Sequence, residues 1–218
     1  MTAEVRQQIV ELGASLFARR LTFGRTGNIS VRTGDTVLLT PTGASLGTLD
    51  PDALSVIDTA GRHVDGPKPS KEAFLHAAVY RARPDAGAVV HLHSTYSVAV
   101  SCLADVDPTD ALPPLTAYYV MRVGRLPLLP YHAPGDSTLE PLAEATARTG
   151  HAFLLANHGP VVAGADLSAA ADAVEELEET ARLHLLLQGH RTRPLTPDQV
   201  AALRARTTGP VPTPGTAR

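Results

Sequence analysis

His91 and His93 close the segment Gly87-Ala-Val-Val-His-Leu-His-Ser94. Four small or apolar residues running into a histidine, a leucine and a second histidine read as a buried strand that ends in an i, i+2 pair. Strand side chains alternate between faces, so both imidazoles point one way and Leu92 points the other. Two nitrogen donors on one face of a rigid strand supply half of a tetrahedral metal site. A lone histidine there would more simply be a hydrogen-bonded core residue. Two on one face each need a partner, and a shared metal satisfies both. His158, in Asn157-His158-Gly159 after the apolar run Phe153 to Ala156, is the candidate third ligand, since sites are commonly built at strand ends.

Glu72 is the candidate acid or base. It falls in the first turn of a helix that Ser70 is placed to cap, where on its own it would only favour the helix dipole. Beside a metal held by three histidines it becomes a proton shuttle, or a ligand that closes the open position. His76, one helical turn later, could orient that carboxylate. Three features could hold an anion: Asn28 after Gly27, the Thr42-Gly43 loop with its backbone N–H groups, and Ser70-Lys71 at a helix start.

The elements that must position these residues are legible from period and punctuation. An amphipathic helix is expected over Val5–Arg20, then two strands, Asn28–Arg32 and Val37–Thr40, joined by a Gly34-Asp35 turn. A loop covers Pro41–Gly47, and a strand covers Ser55–Asp58. Helix is expected from Lys71 to Arg83, then the histidine strand, then a helix over Thr95–Leu103. Leu126–Pro134 reads as a proline-broken strand and Glu140–Arg148 as helix. Strands at Phe153–Ala156 and Val161–Ala163 flank His158. The longest helix is Leu167–Gln188, and Pro197–Arg206 is a short one. Glu175-Glu-Leu-Glu-Glu179 reads as a solvated helix face, and Cys102 as a packing residue among small neighbours. The order predicts one α/β domain over residues 1–206, with antiparallel pairing in its sheet and a disordered tail at 207–218.

Composition narrows the functional class. The net charge of -3 speaks against nucleic-acid or anionic-membrane partners, so an anionic substrate must be held by local groups. A single cysteine excludes an internal disulfide framework and, with no leader-like or membrane-spanning stretch, points to the cytoplasm. Nine histidines against that one cysteine favour nitrogen and oxygen ligation over thiolate.

Five segments occur in an order and spacing that resemble the class II aldolase/adducin family: Gly27-Asn-Ile-Ser-Val-Arg32, Leu39-Thr-Pro-Thr-Gly43, Pro69-Ser-Lys-Glu72, His91-Leu-His93 and Asn157-His-Gly159. Leu46-Gly-Thr-Leu-Asp50, Lys68-Pro-Ser-Lys-Glu72, Val120-Met-Arg-Val-Gly124 and Tyr131-His-Ala-Pro-Gly-Asp136 are most similar to the family's 3-oxo-tetronate 4-phosphate decarboxylases. The resemblance implies a three-layer α/β/α fold with a largely antiparallel central sheet, and a homotetramer with interfacial active sites. It implies Zn2+, or another divalent ion, on His91, His93 and His158. Glu72 is then the acid/base that can also close the zinc site, and Asn28, Thr42, Gly43 and Ser70 form the phosphate cradle. Tyr118, with Tyr119 adjacent, resembles a proton-donating tyrosine from the neighbouring subunit. Where the aldolases carry a second serine this chain has Lys71, whose charge suits a substrate bearing both phosphate and carboxylate.

The activity implied is decarboxylation of a phosphorylated sugar acid to dihydroxyacetone phosphate and CO2. The rival is an aldolase or 4-epimerase acting on a sugar phosphate at the same metal site. A catalytically silent, adducin-like interaction domain is the third reading, disfavoured because all three histidines and Glu72 are present.

Overall fold

The computed structural model describes residues 2–207, and the expected tail lies outside them except for Thr207, which ends a helix. The eight strands are β1 (Asn28–Thr33), β2 (Thr36–Leu39), β3 (Ser55–Asp58), β4 (His63–Asp65), β5 (Ala88–His91), β6 (Leu128–Leu129), β7 (Ala152–Leu155) and β8 (Gly159–Gly164). They form one sheet in the order β4-β3-β2-β1-β5-β8-β7-β6. Every pairing is antiparallel except β6 with β7. This is the expected α/β architecture, with helices on both faces of a largely antiparallel sheet.

Alternation along the strands builds the layers. Val89, Phe153, Leu155, Val161, Val37 and Leu39 face one side, against α2 (Ala73–Ala82) and α5 (Glu140–Ala147). Val90, Leu154, Val162, Leu38 and Ile29 face the other. That side is covered by α1 (Thr2–Ala18), α3 (Thr95–Ser101), α4 (Ala117–Arg122) and α6 (Leu167–Leu186), with α7 (Pro197–Thr207) packed on α4. Both faces of β5 are thus buried, which is why it reads as an uninterrupted apolar run.

Several expectations are corrected. The helix after Ser70 begins at Ala73, and Glu72 occupies the cap position, so Glu72 precedes the first turn. The Ser70 hydroxyl instead accepts from the Glu72 backbone N–H (3.3 Å). The stretch Leu126–Pro134 pairs only at Leu128 and Leu129 before its prolines remove donors from the ladder. Cys102 is exposed just past α3. Glu178 is no solvated residue: at 7% exposure it accepts the backbone N–H groups of Tyr96 and Ser97 (both 2.8 Å) and the Ser97 hydroxyl (2.6 Å). A carboxylate there answers the free N–H groups that open α3 and anchors the chain just after His93. Its place on the apolar stripe Val174, Leu177, Ala181 was the available signal.

Candidate metal centre and active site

His91 ends β5, and His93 follows two residues beyond the strand end. Leu92 turns into the opposite core, as the alternation requires. The partner strand β8 brings His158 to the same end, because His91 pairs with Val161 and Gly159 begins that strand. Gly159 has to be glycine: at φ +157 its added Cβ would lie 2.2 Å from the Leu92 carbonyl oxygen. Gly27 serves the other side, where a Cβ would lie 2.9 Å from the His91 carbonyl oxygen at φ +79.

The three imidazoles converge. Their ring centroids are 5.1, 4.8 and 4.6 Å apart, and one ligand atom from each lies within 4.8 Å of the others. His91 Nδ1–H donates to the Pro160 carbonyl (2.8 Å), which leaves its Nε2 lone pair free. That Nε2 is buried with no hydrogen-bond partner in the chain. A histidine held by its far nitrogen to a backbone carbonyl, with the near nitrogen bare among other nitrogens, is arranged as a metal ligand. His158 Nε2 and His93 Nε2 are 3.0 Å apart. Zinc at its usual nitrogen distance needs its ligands about 3.3 Å apart, so the donor set fits a divalent cation.

Glu72 borders this cluster. Its Oε2 is 3.4 Å from His91 Nε2 and its Oε1 is 3.2 Å from His158 Nε2. Asn28 Nδ2 donates to Oε2 (2.8 Å) and lies 3.2 Å from the Ser70 hydroxyl. Burial works to raise the Glu72 carboxyl, but the adjoining His91 and His158 imidazoles and the Asn28 N–H outweigh it and hold it below the usual carboxylate range. Burial first, then the neighbouring histidines, pushes His93 down to about 3 and His158 to about 4. Both are therefore neutral near pH 7, with lone pairs available to a metal.

His76 is fully buried on α2, and burial brings it down to about 3. Because this lies below its ordinary value of 6.5, the unfolded chain takes up a proton between pH 7 and pH 4 that the folded chain refuses. Stability is full above pH 6.5 and falls as pH drops through that window. His76 alone accounts for about 3 kcal/mol at pH 4. Urea denaturation of metal-free protein at pH 7, 5.5 and 4 reads the loss, and a midpoint that stays put would mean His76 titrates freely in the fold.

Asn28, Thr42, Gly43, Ser70, Lys71, Glu72, His93 and His158 together line one cleft of about 290 Å³. One expected donor is spent: the Thr42 backbone N–H bonds the Lys68 carbonyl (3.0 Å), so only its side chain is free to meet an anion. The cleft also presents Arg25 and Thr26, neither of which the sequence flagged, and Pro134 from the Tyr131–Asp136 segment that it did. Arg25 and Lys71 are both exposed, and among the described residues no ion pair engages either. Next to Glu72 and His158, Pro130, His132, Ala133 and Gly135 cover the site from the loop after β6. A larger cavity of about 490 Å³, near Arg83, Arg122 and His151, opens beside Gly164 at the far end of β8 and contains none of these residues.

Tyr118 is not brought to this cleft within one chain. It is 61% exposed on α4 with its ring 5.6 Å from the Arg122 guanidinium. Tyr119 is buried in the core and its phenol is held protonated by burial, which leaves Tyr118 as the exposed member of the pair.

Residues 7–185 match the Class II Aldolase and Adducin N-terminal domain. The chain is 51% identical over 202 residues to a 3-oxo-tetronate 4-phosphate decarboxylase of Haemophilus influenzae, covering 92% of this chain and 96% of that protein. The crystal structure of YgbL from Escherichia coli, described as an aldolase/epimerase/decarboxylase, superposes with a TM-score of 0.91 at 44% identity, covering 93% of this chain and 99% of that one. An L-fuculose 1-phosphate aldolase superposes with a TM-score of 0.85 at 26% identity, over 93% of this chain and 95% of its own. Matched by that family over residues 7–185 and 51% identical to such a relative over 92% of its length, the chain belongs to the class II aldolase and adducin family.

Proposed function

We propose that the chain is a metal-dependent carboxy-lyase that converts a 3-oxo-tetronate 4-phosphate to dihydroxyacetone phosphate and CO2. The observation that carries the reading is one cleft holding two unpaired cations, Arg25 and Lys71, beside Glu72 and the three histidines. Such a substrate brings two anionic ends, a carboxylate and a phosphate, and two local cations match them where a net charge of -3 cannot. The decarboxylase relative from Haemophilus influenzae, 51% identical, supports the same substrate class.

A divalent cation on His91, His93 and His158, which we propose is zinc, supplies Lewis-acid stabilisation of the negative charge that develops on the substrate oxygens. Asn28, Ser70 and the Thr42-Gly43 loop hold the phosphate, and Lys71 faces the carboxylate. Loss of CO2 breaks the bond between C1 and C2 and leaves its electron pair spread over C2, C3 and the C3 oxygen. Glu72, ionised at rest, takes up a proton as the anionic substrate enters, because nearby negative charge raises its proton affinity. It then delivers that proton to C2, completing dihydroxyacetone phosphate. Tyr118 of a neighbouring subunit assists this transfer in a cytoplasmic homotetramer with interfacial sites. No helix among the described residues is long and apolar enough to cross a membrane.

The likeness to an L-fuculose 1-phosphate aldolase keeps one second reading, aldol cleavage or 4-epimerisation of a sugar phosphate at the same centre. Incubating metal-loaded protein with each C2 epimer of 3-oxo-tetronate 4-phosphate separates the two. Equal amounts of CO2 and dihydroxyacetone phosphate, abolished by a chelator, are expected. No CO2 from either epimer with metal in place would transfer the assignment to the aldolase or epimerase.

A further inference from the structure

From Asn28 at the edge of the cleft, four buried polar side chains run inward in a single line. Asn28 Oδ1 meets His76 Nε2, His76 Nδ1 lies 2.6 Å from the Ser30 hydroxyl, and that hydroxyl lies 2.9 Å from the Tyr80 phenol. Ser30 and His76 are fully buried, Tyr80 is 1% exposed and Asn28 5%. The line joins β1 to α2 across the sheet face, since Asn28 and Ser30 alternate onto the side that α2 covers.

We propose that His76 is a positioning residue, which acts through the Asn28 amide to set the direction of the hydrogen bond received by Glu72. An amide can present either its oxygen or its nitrogen, and only the surrounding network chooses. Here the direction follows from the acceptor-only Glu72 carboxylate. With the Asn28 NH2 turned to it, Oδ1 faces His76, so the one imidazole proton is on Nε2. Nδ1 accepts from the Ser30 hydroxyl, whose oxygen accepts from Tyr80 O–H. The Asn28 NH2 donates to Oε2 of the carboxylate (2.8 Å). In the reverse orientation the amide oxygen would sit against the Glu72 carboxylate, and His76 would face the amide donors with its own N–H. Every donor in the line meets an acceptor in one direction only, and the line ends on the group that carries the proton.

The inference rests on Glu72 as that proton carrier, and two readouts separate its failure from failure of the decarboxylase reading. The first needs no substrate. In 15N-histidine-labelled protein, with the His76 signals identified by their loss in His76→Gln, the expected tautomer at pH 7 is Nε2–H with a bare Nδ1. An Nδ1–H tautomer or an imidazolium overturns the proposal whatever reaction the protein catalyses. The second is kinetic. His76→Leu is expected to lower kcat by about 10- to 100-fold with metal content unchanged and KM within about threefold of wild type. His76→Gln, whose amide N–H can reach the position of Nε2, is expected to recover most of that loss. A residue that merely fills the core would affect thermal stability in both variants and spare kcat per metal-loaded site. If His76→Leu does not fold, Ser30→Ala removes the hydroxyl that donates to His76 Nδ1 and is expected to lower kcat by about 10-fold. Wild-type kcat in a folded, metal-loaded His76→Leu or Ser30→Ala variant overturns the proposal.

Discussion

Replacing Glu72 by glutamine is expected to lower turnover by about 10³-fold while leaving the metal in place. The amide keeps the shape of the carboxylate and can still accept from Asn28, so the cleft that holds Arg25, Lys71 and the phosphate-facing residues is preserved. What disappears is a group able to carry a proton within 3.4 Å of the His91 and 3.2 Å of the His158 nitrogens. Metal analysis, inorganic phosphate inhibition and single-turnover CO2 release on the same preparation give the test. Intact metal and phosphate binding with near wild-type CO2 release would remove Glu72 from the mechanism and hand proton delivery to Tyr118 or solvent.

Replacing His158 by alanine is expected to abolish metal retention and reduce activity at least about 10³-fold, the equivalent of about 4 kcal/mol of transition-state stabilisation. His158 is one of three convergent donors and the one contributed by the turn before β8 rather than by the end of β5. Its loss leaves His91 and His93, two nitrogens where the site needs three. The substitution removes no ladder hydrogen bond and falls outside the strand, so the circular dichroism spectrum and oligomer size should match wild type. Metal content after dialysis is the decisive number. A His158→Ala protein that keeps a full metal equivalent would mean that the ion is bound elsewhere, and the three-histidine assignment would fail with it.

Local sequence determined what local geometry can determine. The period of two in β5 placed His91 and His93 on one face and Leu92 on the other, because strand side chains alternate whatever lies beyond them. The Gly34-Asp35 turn defined the β1–β2 hairpin for the same reason, and the five motif segments identified the family. Elements too short or too exposed to show a period escaped: α4 spans six residues, and β4 is a three-residue strand exposed throughout.

Tertiary structure decided everything that depends on distance across the sheet. His158 meets His93 across 65 residues because β8 lies beside β5, and Asn28 meets Glu72 across 44 because the start of α2 packs on the face of β1 that carries Asn28. Burial sorted residues that look alike in sequence: Tyr119 went into the core while Tyr118 stayed exposed, and Glu178 was drawn in to cap α3 while Glu175, Glu176 and Glu179 stayed more accessible. His76 could be suspected of orienting Glu72 from its helical spacing alone. That it does so through Asn28, with Ser30 and Tyr80 behind it, follows from the packing of α2 over β1. Side-chain periodicity is a property of the backbone and can be read locally. The pairing of groups far apart in the chain is set by strand order and by which polar atoms burial forces to find partners.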